Sequence, residues 1–244
     1  VGKRLITSTQ LQAIHNQLLL LLRQQGALVD AIVRDGGFVV ITNAQVSTIT
    51  QGSDGVSIQT SNGDIYQSRI GIVTVPMNVM NTVRFNPPLS PIKREAADVK
   101  HAGGGAKVFF VVKGDPGAVM TLARSADSAL IGSFTYHRGE HQSLLAGFSL
   151  EPDALDKSVE EWQSIFNDYI PDLQILRTFG HPWGTDPLSQ GSWCNYRPGT
   201  VARFAEALPT REGHLFFAWG TMEKVGEALW KGLSPVDRKQ LWPF

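Results

Sequence analysis

Apolar residues in the first part of the chain recur at helical spacing. Leu11, Ile14, Leu18, Leu21 and Leu22 form one stripe behind Ser8, a suitable N-cap, and predict a helix starting near Thr9. Gly26 interrupts it. Residues 27–34 then carry a second amphipathic set, with Leu28, Ile32 and Val33 expected to face inward, and Gly36-Gly37 ends that helix. From Phe38 the period drops to two. Residues 38–42, 45–50 and 56–60 read as short alternating strands, with turns at Asp54-Gly55 and Asn62-Gly63. Ile65-Tyr66 restarts extended structure. The continuous apolar run from Ile70 to Val75, stopped by Pro76, predicts a strand buried on both faces.

The prolines between Phe85 and Leu89 turn the chain, and residues 91–100 regain helical spacing. Gly103-Gly104-Gly105 is expected to be flexible, and 108–112 is an all-apolar strand. Further strands are predicted at 119–122, 129–136, 144–148 and 173–179. Between the last two, Ser158-x-x-Glu161 is a capping box opening a helix whose apolar face is Val159, Trp162, Phe166 and Tyr169, stopped by Pro171. The Trp and Tyr of that face are expected to be core. A terminal helix through Val225, Ala228 and Leu229 ends near Ser234-Pro235.

Composition narrows the classes. The 244 residues are 42% hydrophobic and 18% charged, ordinary for a protein with a real core. Formal net charge is zero, which gives no electrostatic case for nucleic acid or an anionic membrane. Cys194, the sole cysteine, excludes an internal disulfide and a multi-cysteine metal site. His137 and His141 have i,i+4 spacing, but Gly139 lies between them and further ligands are lacking, so no metal is expected. The longest apolar run, Leu18 to Leu22, is far too short to span a membrane, and no signal peptide is evident. The expectation is a soluble intracellular protein. Because the chain begins at Val1 rather than Met, processing or excision from something longer is expected.

Lys107 stands out chemically. An ammonium beside five apolar residues needs a partner or a wet cavity if it is buried. The second candidate stretch is Trp183 to Gly199, in which Trp183 and Trp193 are either large core residues beside a Pro-Gly turn or aromatic walls of a site. No Gly-x-Gly-x-x-Gly follows a strand, and Gly103–Gly105 with Lys107 is not a phosphate-binding loop, since Lys107 is not followed by Ser or Thr.

Several of these pieces, in this order, resemble the flavin-dependent monoamine oxidase family, which includes polyamine oxidases and L-amino-acid oxidases. They are the strand ending in Val75-Pro76, the Phe85-x-Pro87-Pro88-Leu89 turn, and the glycine segment ending in Lys107 before an apolar strand. Upstream, Gly26, Leu28, Ala31, Val46, Ile49, Gly55-Val56 and Asn62-Gly63-Asp64 match the family's helix and meander. Downstream, the Trp183–Gly199 stretch and the strand Gly213–Ala218 match. The resemblance implies that Lys107 holds a water beside the flavin N5, that the Val46 backbone meets the adenine side of FAD, and that Trp183 packs near the isoalloxazine. It implies that Trp193 is one wall of an aromatic cage for the substrate. Ser192 stands where some members carry a flavin-linking cysteine, so FAD is expected to be non-covalent. After Ala218 the pattern breaks. Gly220, Thr221 and Met222 reach the family's flavin- and substrate-contacting element only if several residues are missing, with Thr221 then taking the second cage position.

The implied fold is mixed α/β. A β-sheet substrate domain (77–178), flanked by helices, joins the later strands of an FAD-binding domain (25–76 and 179–244), with a helix over 1–24 associated with the substrate domain and the N-terminal dinucleotide-binding unit lacking. The implied function is FAD-dependent oxidation of an amine to an imine, with O2 as acceptor and H2O2 as product. The open alternative is a flavin-free domain that binds a hydrophobic small molecule in an apolar cavity, with or without non-redox chemistry. Expected partners are a small amine or hydrophobic metabolite, with a second chain or a second copy left open.

Overall fold

The computed structural model describes residues 27–218 apart from 124, 126, 127 and 152. The predicted helix of Leu11 to Leu22 and the terminal helix lie outside these residues. The described chain divides between Gln45 and Val46 into two compact units.

In the first unit, residues 27–35 form helix α1, closed by Gly37 at φ 63° and by the Phe38 N–H donating to the Val33 carbonyl. Two expectations fail here. Leu28 and Ile32 are exposed rather than inward, and Phe38 to Ile41 is exposed without strand pairing. Alternation supplies an apolar edge, but a strand also needs a neighbour for its backbone groups, and none of the described residues provides one.

The second unit holds a mixed α/β fold with three sheets. The first sheet has the order β3-β2-β1-β5, from β1 (Val46–Gln51), β2 (Val56–Thr60), β3 (Ile65–Ser68) and β5 (Arg84–Asn86). β1–β2–β3 is the predicted meander, while β5 joins β1 in parallel. A two-stranded parallel sheet pairs β4 (Gly71–Val73) with β11 (Leu215–Phe217). The expected doubly buried strand is thus short, and Ile72 is 47% exposed between buried Gly71 and Val73. β11, the 3-10 helix Met77–Thr82 and helix α2 (Pro91–Val99) share one core, in which Val73, Met80, Ala97 and Phe217 are buried.

The third sheet, in the order β10-β6-β9-β8-β7, is antiparallel throughout. Its strands are β6 (Ala106–Lys113), β7 (Met120–Leu122), β8 (Gly132–His137), β9 (Gln142–Ser149) and β10 (Ile175–Phe179). Helix α3 (Val159–Asn167) covers one face. Its capping box forms as predicted: Ser158 Oγ accepts from the Glu161 N–H while Glu161 accepts from the Ser158 N–H. Trp162 and Phe166 are fully buried, with ring centroids 5.1 and 4.8 Å from Phe110. Each such side chain contributes about 2–3 kcal/mol by leaving water, which fixes α3 on this face. A short helix α4 (Thr200–Phe204) completes the elements and seats Phe204 in the first core. Among the described residues no helix is long and apolar enough to cross a membrane, and no His/Cys/Asp/Glu group is arranged to hold a metal.

Candidate active site

A strand sends alternate side chains to opposite faces. In β6, Val108, Phe110 and Val112 join the core under α3, so Lys107, Phe109 and Val111 are left on the other face. Phe148 lies directly opposite Lys107 in β9, and Phe179 opposite Phe109 in β10. The Lys107 Nζ sits 5.0 Å from the Phe109 ring centroid, 5.5 Å from Tyr136 and 5.9 Å from Phe148. Among the described residues no carboxylate pairs with it. The cation is therefore held by ring faces, at a distance where the quadrupole attraction operates.

These rings form a chain of neighbours. Phe179 stacks on Phe109 at 5.3 Å, and Phe109 meets Tyr136 edge-on at 5.8 Å. Tyr136 then lies 6.2 Å from Phe134, Phe134 6.0 Å from Phe148, and Phe148 5.7 Å from Trp193. Trp193 and Lys107, singled out in the sequence, thus meet through Phe148. The sequence reading missed Phe109, Phe134, Tyr136, Phe148 and Phe179 as site residues. They lie in apolar strands β6, β8, β9 and β10, which read as core until α3 is seen to cover only one face.

Trp193 reaches the sheet because two loops are locked together. Ala102 N–H donates to the Asn195 carbonyl at 2.7 Å and Ser192 N–H to the Gly103 carbonyl at 2.7 Å. The glycine run is not the flexible link expected of it. A Cβ on Gly103 would overlap the Trp193 carbonyl oxygen, and one on Gly105 would come within 2.7 Å of the Trp193 indole. Gly103 and Gly105 permit close approach, and Gly104 alone faces open space. Asn78, buried on the 3-10 helix, pins the same loops. Its Oδ1 accepts from the His101 N–H at 2.8 Å, and its Nδ2 donates to the Gln190 carbonyl at 2.7 Å. Lys100 Nζ adds a bond to Gln190 Oε1 at 2.9 Å.

Beside this junction lies a cavity of about 340 Å³, lined by Thr74, Pro76, Met77, His101, Trp183, Ser189, Gly191, Ser192, Cys194 and Tyr196. Burial pushes the His101 imidazole below its ordinary pKa, so it is neutral at pH 7, and its Nδ1 accepts from the Gly103 N–H at 3.2 Å. Trp183 is 46% exposed, and its ring contact is with His181 at 4.2 Å. His181 in turn bonds Asp186 at 2.8 Å, and that hydrogen bond, followed by the Leu188 N–H, holds the Asp186 carboxyl below its usual range. Trp183 therefore belongs to the cavity, whereas Trp193 belongs to the sheet face. Val46 opens β1, where its side chain packs against the first core. Gly220, Thr221 and Met222 lie outside the described residues.

As a test of fit for FAD, the cavity offers an indole, a neutral imidazole and backbone at the end of β4, which suits a flat, largely apolar ring system. Among the described residues no glycine turn leads from a strand into a helix N-terminus to take a pyrophosphate.

Residues 4–223 match the family model described as flavin containing amine oxidoreductase. The chain is 37% identical over 202 residues to pseudooxynicotine dehydrogenase from Pseudomonas sp, covering 80% of this chain and 40% of that protein. It is 28% identical over 204 residues to nicotine dehydrogenase from Pseudomonas putida, covering 78% and 40%. Among solved structures, a triple mutant of putrescine oxidase superposes with a TM-score of 0.63 at 16% identity, over 75% of this chain and 43% of that one. That likeness establishes an amine-oxidase-like fold over the part covered. The chain spans about two-fifths of the length of the curated relatives it matches.

Proposed function

The chain belongs to the flavin containing amine oxidoreductase family, and on that premise we propose that it forms the amine-facing portion of an enzyme that oxidises an amine to an imine with FAD. One observation carries this reading: Lys107, which pairs with no carboxylate among the described residues, projects among aromatic rings on a sheet face that continues to Trp193. The two dehydrogenase relatives, named for pseudooxynicotine and nicotine, support a small amine as substrate.

FAD, when bound, supplies the two-electron acceptor that passes its electrons to O2. Trp183, Thr74 and His101 would line the space for its ring, without a covalent link, because Ser192 stands at the linking position. Residues 77–178 would then act as the substrate domain and 25–76 with 179–244 as the partial FAD-binding domain, with Val46 near the adenine side. Trp193 and Phe148 take the apolar part of the amine by ring contact. Lys107 has three donors and no carboxylate among the described residues to neutralise it, so its role is to hold a water at the reacting edge. Its charge also sets the protonation state of the substrate. Two unit charges about 5 Å apart at an effective dielectric near 20 repel by about 3 kcal/mol, enough to favour binding of the amine as the free base. The proton leaves to solvent before the C–H bond is broken.

The test is the visible spectrum of the purified chain after incubation with FAD and desalting. A retained flavin band is expected. A colourless protein removes the oxidase reading and, if amines still bind, leaves a flavin-free binding domain.

A further inference from the structure

We propose that the open face of the β6–β9–β8 sheet selects amines whose body is an aromatic ring, in preference to diamines and to saturated amines of equal size. This rests on reading that face as the amine-facing wall.

Ring content comes first. Five successive contacts join Phe179, Phe109, Tyr136, Phe134, Phe148 and Trp193, at centroid distances of 5.3 to 6.2 Å. Their planes differ, with 18° between Phe109 and Phe179 but 74° between Phe109 and Tyr136. The face therefore offers ring faces and ring edges side by side, and a planar guest finds both offset-stacked and edge-on partners. A saturated ring gains the area term but not the quadrupole term.

Openness comes next. Val111, Leu144 and Ala146 on this face are buried, but the rings themselves are not: Phe109, Phe134, Phe148 and Phe179 are half-buried and Tyr136 is 38% exposed, whereas on the opposite face Trp162 and Phe166 are fully buried. The ring row therefore keeps surface for a guest.

Charge decides against diamines. The cations this face carries include Lys107, set among the rings, Arg177, whose guanidinium carbon lies 5.2 Å from the Phe179 ring, and the exposed Lys113 at the end of β6. No described Asp or Glu pairs with any of them. A second ammonium on the substrate would meet positive charge on ring faces that cations already occupy.

The test is a binding titration of the full chain, followed by tryptophan fluorescence and by ligand-observed saturation transfer. The probes are phenethylamine, its ring-saturated analogue cyclohexylethylamine, and putrescine. Phenethylamine is expected to bind about fivefold to tenfold tighter than cyclohexylethylamine, as one or two added ring contacts provide, with putrescine the weakest. Phe148→Leu and Tyr136→Leu should each bring the phenyl-to-cyclohexyl ratio to within about twofold of one while leaving cyclohexylethylamine binding within about twofold. Equal binding of the two ring compounds, putrescine binding tightest, or no binding of any probe overturns the proposal. Because these readouts need no flavin, selective binding by a colourless protein would sink the oxidase reading and keep this one. Flavin turnover that prefers putrescine would do the reverse.

Discussion

The indole of Trp193 rests 5.7 Å from the ring of Phe148, and Phe148 stands directly opposite Lys107 across the β6–β9 ladder. Two residues 86 positions apart (193 minus 107) are thereby joined by one phenyl ring. The glycines that let the loops approach, the Asn78 peg and the α3-covered sheet all act on this relationship, and each can be perturbed separately.

Lys107→Met keeps the stem and removes the charge. If the chain turns over amines with FAD, kcat should fall on the order of a hundredfold, while the Kd for the amine, measured at a pH where the amine is already the free base, changes less than about threefold. Stopped-flow reduction separates the two. Matching losses in both would reduce Lys107 to a binding residue.

Asn78→Ala leaves the His101 N–H and the Gln190 carbonyl without their buried partner. A loss of about 2–3 kcal/mol is expected in urea unfolding. Asn78→Asp should be at least as harmful, because it faces a carbonyl with an acceptor. A loss below about 0.5 kcal/mol for both variants would show that the loops are held by other contacts.

The glycine run gives a paired comparison. Gly103→Ala drives a methyl into the Trp193 carbonyl and should cost about 3 kcal/mol or more, whereas Gly104→Ala, facing open space, should lie within about 0.5 kcal/mol of the parent. Equal effects would contradict the packing described here.

Lys93 gives a pH signature. Its buried ammonium lies 3.4 Å from Glu212 and 3.4 Å from the Phe217 ring centroid, and it donates to the Thr210 carbonyl. Burial lowers its pKa to about 8, with Glu212 opposing the shift. Between about pH 8 and the ordinary value of 10.5 the unfolded chain binds the proton that the folded chain has lost. Stability should therefore rise with pH across that window, by up to about 3 kcal/mol, and be flat in this respect below it. The difference between wild type and Lys93→Met, measured by urea unfolding from pH 7 to 10, isolates the effect. A difference that does not change with pH would rule it out.

Local signals carried much of this fold. The Ser158–Glu161 box, the turns at Asp54-Gly55 and Asn62-Gly63, and the alternation in β1 and β2 are short-range chemistry, and the elements form there. Long-range matters were less legible. Phe38 to Ile41 is apolar and β-branched like a strand but finds no partner among the described residues. Ile70 to Val75 pairs over only three residues, because β11 is equally short. Lys107 was visible because a cation in an apolar strand is anomalous in one dimension. Its ring neighbours were not, since Phe134, Tyr136 and Phe148 look like ordinary strand residues until the uncovered face is known. Asn78 gave no signal at all: its three partner groups lie at positions 101 and 190.

The central claim is that amine and flavin meet beside Lys107 and Trp193. It is tested most directly by mixing the FAD-loaded chain with phenethylamine in the absence of O2 and following the visible flavin band. Bleaching is expected at a rate that saturates with amine, is slowed on the order of a hundredfold by Lys107→Met, and shows a weakened amine Kd in Trp193→Ala. A band that stays oxidised with every amine tried, or one that bleaches equally fast in all three proteins, would contradict it.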